Sequence, residues 1–432
     1  MKKNSLVFQL AVILLSATFT AYAADNNDLA HKYGIKDYSI VYSTNGQITY
    51  ENFGKGIDEN SMFELGSNGK TVTAYIALKL VQEDKIGLDD SIAKYLDSNL
   101  ITEDERIKSL TLRQLLCHTG GFSPSYELGV DKKIYSHPGE EFRYSGVGYI
   151  YLQNVIENIS GMSLENAARH YVFEPLGMTN STFEYKKTVT PYIRLSSAVL
   201  YSFAGFILAF IVLIIILSVI GALSKFKLFK MKTAFFIAFV AAALLNTVFM
   251  LFVLVSKVAY IFCIYFVVVG MVMFFSRKKK GLYFSCMPVV TILILILGFT
   301  VPICVPATND IVPRKANSAY TLRSTAKDMS LFCNELMTQY NNGDDTLKGM
   351  FFPAVTIDDK NNWGLGIAIE SESKGKTYWH SGINPGFQSL YVLYPDENKY
   401  VISITNSDNG LNFSKELARN FLNVDGVWDI KR

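Results

Sequence analysis

Ser67-Asn68-Gly69-Lys70 sets a hydroxyl and an amine three positions apart. On a helix that spacing puts both side chains on one face. A lysine that is neutral, or that relays a proton, can then activate the serine as a nucleophile. Tyr144-Ser145-Gly146, which follows Pro138-Gly139-Glu140, offers a phenol. A tyrosine acts as acid or base where nearby cations lower its pKa, although a tyrosine met singly is more often packing. Trp379-His380-Ser381-Gly382 closes a strand-like run. The end of such a strand can present a backbone N–H to a carbonyl oxygen, while a lone histidine is more often structural than catalytic.

Spacing alone does not single out Ser67. The same S-x-x-K pattern recurs at Ser91/Lys94, Ser224/Lys227, Ser276/Lys279, Ser324/Lys327, Ser371/Lys374 and Ser373/Lys376. Context separates them. Ser91 follows two aspartates and reads as a helix cap, and Ser324 reads as the cap of a helix over Ala326 to Tyr340. Ser371 and Ser373 fall in a polar turn between strand-like runs, and Ser224 and Ser276 in short basic loops. Only Ser67 follows a glycine and opens a helix whose next turns are apolar enough to be buried. A helix N-terminus favours developing negative charge.

The elements that must hold these residues are readable in outline. Tyr38 to Val41 and Gln47 to Tyr50 are β-like runs joined by Asn45-Gly46, a strong hairpin signal. Val72, Ile76, Leu80 and Val81 space out as one helical face, as do Tyr149, Leu152, Val155 and Ile156. Strand-like runs return at Gly364 to Ile369, Thr377 to His380, Gln388 to Tyr394 and Tyr400 to Ile404, before a final helix over Ser414 to Leu422. Strands at both ends with helices between predict one antiparallel sheet built from the two termini.

Taken in order, Ser67-x-x-Lys70, Tyr144-Ser145-Gly146 and His380-Ser381-Gly382 resemble the S-x-x-K, Y-x-N and K-T-G or H-x-G motifs of penicillin-recognising serine hydrolases. That family includes class C β-lactamases and D-alanyl-D-alanine peptidases. Leu110 to Gly121 resembles its LLTHTSG segment, Pro175 to Thr179 its PLGM segment and Ser324 to Met329 its STAxDM segment. The resemblance spans nearly all of the chain outside the apolar middle. It implies an α+β, β-lactamase/transpeptidase-like sandwich. It implies Ser67 as acylated nucleophile, with Lys70 and Tyr144 sharing the acid and base work. His380, Ser381 and Gly382 would hold the substrate, and the backbone N–H groups of Ser67 and Ile383 would form the oxyanion hole. Gly146 stands where β-lactamases place asparagine, which weakens a β-lactamase assignment and favours a peptidase or esterase.

Two further features concern location. Lys2 and Lys3, the apolar run Leu6 to Leu15 and Ala21-Tyr22-Ala23 read as a signal peptide over residues 1–23; an uncleaved anchor is the alternative. The middle, residues 198–305, holds four apolar segments: Ala198 to Leu223, Thr233 to Ser256, Val258 to Phe275 and Leu282 to Val305. Each is long enough for a membrane helix, which takes roughly 20 residues. Lys225, Lys227, Lys230 and Lys232 in the first loop, and Arg277, Lys278, Lys279 and Lys280 in the third, place those loops in the cytoplasm. The catalytic halves, residues 24–197 and 306–432, are then expected outside it, on the periplasmic or extracellular side of the cytoplasmic membrane. No charge lies inside a span, so an anchor is favoured over transport.

The formal net charge of +3 is not gathered into a basic, aromatic stripe, so no nucleic-acid partner is expected. No His-E-x-x-His or close Cys/His cluster implies a metal, and no cofactor is implied. The expected partners are the lipid bilayer and a small-molecule or peptide substrate, with cell-wall peptide among the candidates. Two other functions fit the same motifs: a β-lactam sensor that stays acylated and signals through the four helices, and a membrane adaptor with a degenerate site.

Overall fold

The computed structural model describes residues 26–100, 104–124, 132–194, 304–306 and 315–430. The signal-peptide residues and nearly all of the four apolar segments lie outside the described residues. Among the described residues, no helix is long and apolar enough to cross a membrane. The chain divides into two units, one of residues 1–189, 312–406 and 410–432, the other of residues 190–311 and 407–409.

The first unit is built on an antiparallel sheet. Its strands are β1 (Tyr38–Thr44), β2 (Gln47–Phe53), β7 (Val355–Thr356), β8 (Asn361–Trp363), β9 (Ala368–Glu372), β10 (Gly375–Asn384), β11 (Phe387–Tyr394) and β12 (Lys399–Thr405). Their order is β2-β1-β12-β11-β10-β9-β8-β7. The two ends of the chain therefore meet in the middle of the sheet, with Tyr38 opposite Thr405 and Thr44 opposite Lys399. The β1–β2 hairpin turns at Asn45 and Gly46, both at positive φ (51° and 77°), as a tight two-residue turn requires.

Alternation along the strands sends side chains into two cores. On one face Tyr38, Ile40, Leu390, Val392 and Val401 pack with a helix α1 at residues 26–33 and the last helix. On the other face Val41, Tyr391, Leu393, Ile402 and Ile404 pack with the central helices. These are α2 (Gly69–Gln82), α3 (Leu112–Leu116), α4 (Gly146–Ser160) and α5 (Ala326–Asn342); the last helix is α6 (Gly410–Leu422). Burial of α2 extends beyond its apolar face: Lys70, Thr71 and Thr73 are as enclosed as Val72 and Ile76.

Three expectations change in detail. The strand foreseen from Gly364 begins at Ala368, because Gly364 to Ile367 form a turn closed by the Gly364 amide on the Ile367 carbonyl at 2.9 Å. Gly366, at φ 92°, brings that turn against α2; a Cβ there would lie 2.1 Å from the Ala74 Cβ. Helix α5 is capped by Thr325, whose side chain takes the Asp328 amide, and not by Ser324. Ser324 instead ends strand β6 (Leu322–Ser324), its hydroxyl 2.7 Å from that of Ser181. Ser91 precedes only a short 3-10 turn, whose cap position is Ile92.

Strand β6 pairs with β3 (Phe63–Gly66), the strand that leads into Ser67. Beneath that pair, Arg323 and Glu64 form an ion pair at 3.2 Å, with side chains 1% and 4% exposed. The other Glu64 oxygen accepts from Asn384 at the end of β10, at 2.9 Å. So one buried carboxylate ties three strands together.

In the second unit, β4 (Tyr192–Arg194) and β5 (Cys304–Pro306) pair antiparallel, and Tyr192 bridges Ser407. The fourth apolar segment was expected to run to Val305. Its last two residues instead belong to β5, whose backbone groups are satisfied by β4. Cys117 and Cys333 are both buried and unbridged, in different cores.

Removing one partner of a buried ion pair leaves an uncompensated charge, at a cost of about 3–5 kcal/mol. Arg323→Met is expected to lower unfolding stability by that amount in chemical denaturation followed by tryptophan fluorescence. A loss under about 1 kcal/mol would show that Glu64 is not held by this pair. Gly382→Ala is expected to be as damaging, since its Cβ would lie 1.8 Å from the Leu65 carbonyl oxygen.

Candidate active site

Ser67 leaves β3 and stands one residue ahead of Asn68, the cap position of α2. Gly66, at φ 52°, makes the sharp exit from the strand. Lys70, the second residue of α2, is 1% exposed. Its Nζ donates to Ser67 Oγ at 3.0 Å and to the Ala319 carbonyl at 2.6 Å. It also lies over the rings of Tyr144 and Tyr149, at 5.0 and 5.7 Å from their centroids. A buried amine is thus held against the hydroxyl by groups that can accept or attract it.

The two tyrosines are not equivalent. Tyr149 is fully enclosed, and burial holds its phenol well above the usual tyrosine range. It stays protonated. Tyr144 lies at the rim of the cavity described below and retains some exposure, at 9%. Ser145, between Tyr144 and the first residue of α4, caps that helix by accepting the Gly148 amide at 2.8 Å. Gly146 is the first helical residue and presents no side chain to the site.

The third motif lies on β10. His380 and Tyr144 rings are 6.2 Å apart, and the edge of Trp363 meets His380 at 5.5 Å. His380 Nδ1 is 2.9 Å from the Ser381 carbonyl. A carbonyl only accepts, so in this contact Nδ1 carries a proton and donates it. Gly382 runs close against Leu65, where any side chain would strike the Leu65 carbonyl oxygen. Opposite it, a Cβ on Gly66 would lie 2.8 Å from the Ile383 nitrogen. The paired glycines thus let the backbones of 66–67 and 382–383 come together, the arrangement an oxyanion hole needs.

Sequence reasoning missed three participants. His118 sits at φ 58° with its ring 4.4 Å from Tyr144, 5.0 Å from Tyr149 and 4.9 Å from Trp363. Its Nδ1 accepts the Ser145 amide at 3.1 Å, which positions the tyrosine motif. The only signal was its place in the Leu110 to Gly121 segment. The Ala319 carbonyl, like any main-chain atom, carries no sequence signal. Trp363 lacked one too. Tyr144, Trp363, Trp379, His380 and Ser381 line a small cavity, together with Asp429 and Ile430.

Comparison with known proteins agrees with this geometry. The β-lactamase family model matches residues 16–193. A putative D-alanyl-D-alanine carboxypeptidase of Escherichia coli K12 is 30% identical over 181 residues, covering 34% of this chain and 42% of that protein. The chain thus spans under half the length of that curated relative. Among solved structures, a class C β-lactamase is similar with a TM-score of 0.61 at 13% identity, over 96% of this chain and 98% of that one. A penicillin-binding protein from Bacillus halodurans is similar with a TM-score of 0.57 at 16% identity, over 90% and 97%. At such identities these two likenesses concern the fold, and the family match and the curated relative supply the kinship. Residues 16–193 thus match the β-lactamase family, and the fold is the one shared by class C β-lactamases and penicillin-binding proteins.

Proposed function

We propose that this chain is a membrane-anchored serine hydrolase that forms an acyl-enzyme on Ser67 and acts on amide, ester or lactam carbonyls outside the cytoplasm. The observation that carries the reading is the 3.0 Å contact between Ser67 Oγ and the buried Lys70 amine. Ser67 Oγ attacks the carbonyl carbon while its proton passes to Lys70 or, through it, to Tyr144. The developing oxyanion is received by the N–H groups of Ser67 and Ile383. Collapse breaks the bond to the leaving group, which takes the proton back. Water then attacks the Ser67 ester and gives a proton to the same relay; the acyl–Oγ bond breaks, Ser67 Oγ takes that proton back and the acid is released. His380 orients the substrate end through its Nε2 edge.

Gly146 argues for a peptidase or esterase over an efficient β-lactamase. An asparagine amide at that place would hold an acylamide group, and removal of such a donor typically costs about 3 kcal/mol at the transition state. The membrane part of the reading rests on the four apolar segments and their basic loops. Pairing of β4 with β5 supports it, because residues 192–194 and 304–306, which flank the apolar stretch, lie side by side, as an even number of crossings requires.

The test is labelling with a fluorescent fluorophosphonate and a fluorescent penicillin in detergent micelles. Wild type is expected to label and then lose label over time, and Ser67→Ala to show none. Persistent label would favour a sensor instead, and absence of Ser67-dependent label would remove the enzyme reading. Lys70→Met and Tyr144→Phe are each expected to slow labelling by roughly 10²-fold or more, as loss of a proton-transfer group does. Cysteines placed in the first and third loops should react with a membrane-impermeant maleimide only after lysis of spheroplasts; reaction in intact spheroplasts would reverse the topology.

A further inference from the structure

Residues 423–430 follow α6 back across the sheet and are anchored tightly. The Glu370 carboxylate, 1% exposed, accepts the amides of Val427 and Trp428, each at 2.7 Å. The Trp428 indole is fully buried and donates to Thr377 Oγ1 at 3.1 Å. Arg419 holds the Gly426 carbonyl at 3.1 Å. Trp428 sits at φ 42°, a conformation that a bulky residue adopts only when its surroundings over-determine it. The segment is built to stay in one place.

That place is the edge of the third motif. Strand β9 pairs with β10 only as far as Trp379, so among the described residues no strand pairs with β10 on that side from His380 to Asn384. Trp379 and Ser381 point to one face of the strand and His380 to the other. All three line the same cavity, which therefore wraps around the open edge. Asp429 and Ile430 complete its wall.

We infer that Asp429 and Ile430 are specificity-determining residues: with Trp363 and Trp379 they form a subsite for an apolar, uncharged substrate group and reject a carboxylate. The inference rests on the hydrolase reading above and names its substrate class. The wall is aromatic and aliphatic apart from Asp429, His380 and Ser381, and holds no lysine or arginine. The Asp429 side chain is 69% exposed; Lys415, 3.3 Å from it, offsets part of the charge but is not among the lining residues. The Trp379 indole N–H is buried and has no hydrogen-bond partner among the described residues, so the wall carries a donor suited to a neutral ester or amide oxygen. Substrates are accordingly esters and amides with a blocked or apolar end at this subsite, not peptides that end there in a free carboxylate.

The experiment uses Ser67→Ala in micelles, so that ligands bind without turnover. N-acetyl-D-phenylalaninamide and N-acetyl-D-phenylalanine differ only by carboxamide against carboxylate. Calorimetric titration at low salt is expected to show the amide binding about fivefold more tightly, since a charge about 4 Å away in a water-like dielectric acts with roughly this strength. The gap should narrow with salt. It should fall below about threefold in Ser67→Ala/Asp429→Asn and reverse in Ser67→Ala/Asp429→Lys. Equal binding of the two ligands, binding of neither, or a gap unchanged by Asp429→Asn overturns the inference. Turnover of N-acetyl-D-phenylalanine methyl ester by the wild-type chain is measured separately. Its absence with the binding gap intact would sink the hydrolase reading and leave the subsite standing.

Discussion

An amine buried beside a serine hydroxyl is the constraint around which the first unit is arranged. Lys70 is nearly inaccessible, and a buried amine is tolerable only where polar partners replace water. Those partners cannot come from α2 alone. One is the carbonyl of Ala319, 249 residues away along the chain, and two are the rings of Tyr144 and Tyr149 at the start of α4. Bringing them together requires α2 to be wrapped on every side. Hence a helix whose polar residues, Lys70, Thr71 and Thr73, are as deeply buried as its aliphatic ones.

The second constraint is close approach of backbones. Ser67 is useful only if β3 lies against β10, and a side chain at either Gly66 or Gly382 would hold them apart. The contact is locked from below by Glu64, which reaches Arg323 on β6 and Asn384 on β10. Asn68 adds a bond to Ser389 on β11, and Ser389 in turn donates to the Leu65 carbonyl. Donors fixed this way need no reorganisation as charge develops, which is how a preorganised site lowers a barrier.

The site also joins the two faces of the sheet. Ser67, Lys70 and Tyr149 belong to the side covered by the central helices, whereas Trp379 and Trp428 pack in the core beneath α1 and α6. They meet at the free edge of β10. A segment that follows the last helix can therefore shape the cavity without touching the nucleophile, so specificity and acylation are adjustable apart.

Much of this was legible in the chain itself. Asn45-Gly46, the alternation in Tyr38 to Val41 and the periodicity of Val72 to Val81 specify local structure, because turn conformers and strand or helix periods are local physics. Ser67, Lys70, Tyr144 and His380 were identifiable from type, spacing and order. Tertiary structure decided what depends on residues distant in sequence. It decided that Gly382 packs against Leu65, that His118 and the Ala319 carbonyl position the tyrosine and the lysine, and that Asp429 and Ile430 reach the cavity. A main-chain carbonyl has no residue type to betray it, and a side chain at the far end of the chain acquires a role only when the sheet brings its strand edge within reach.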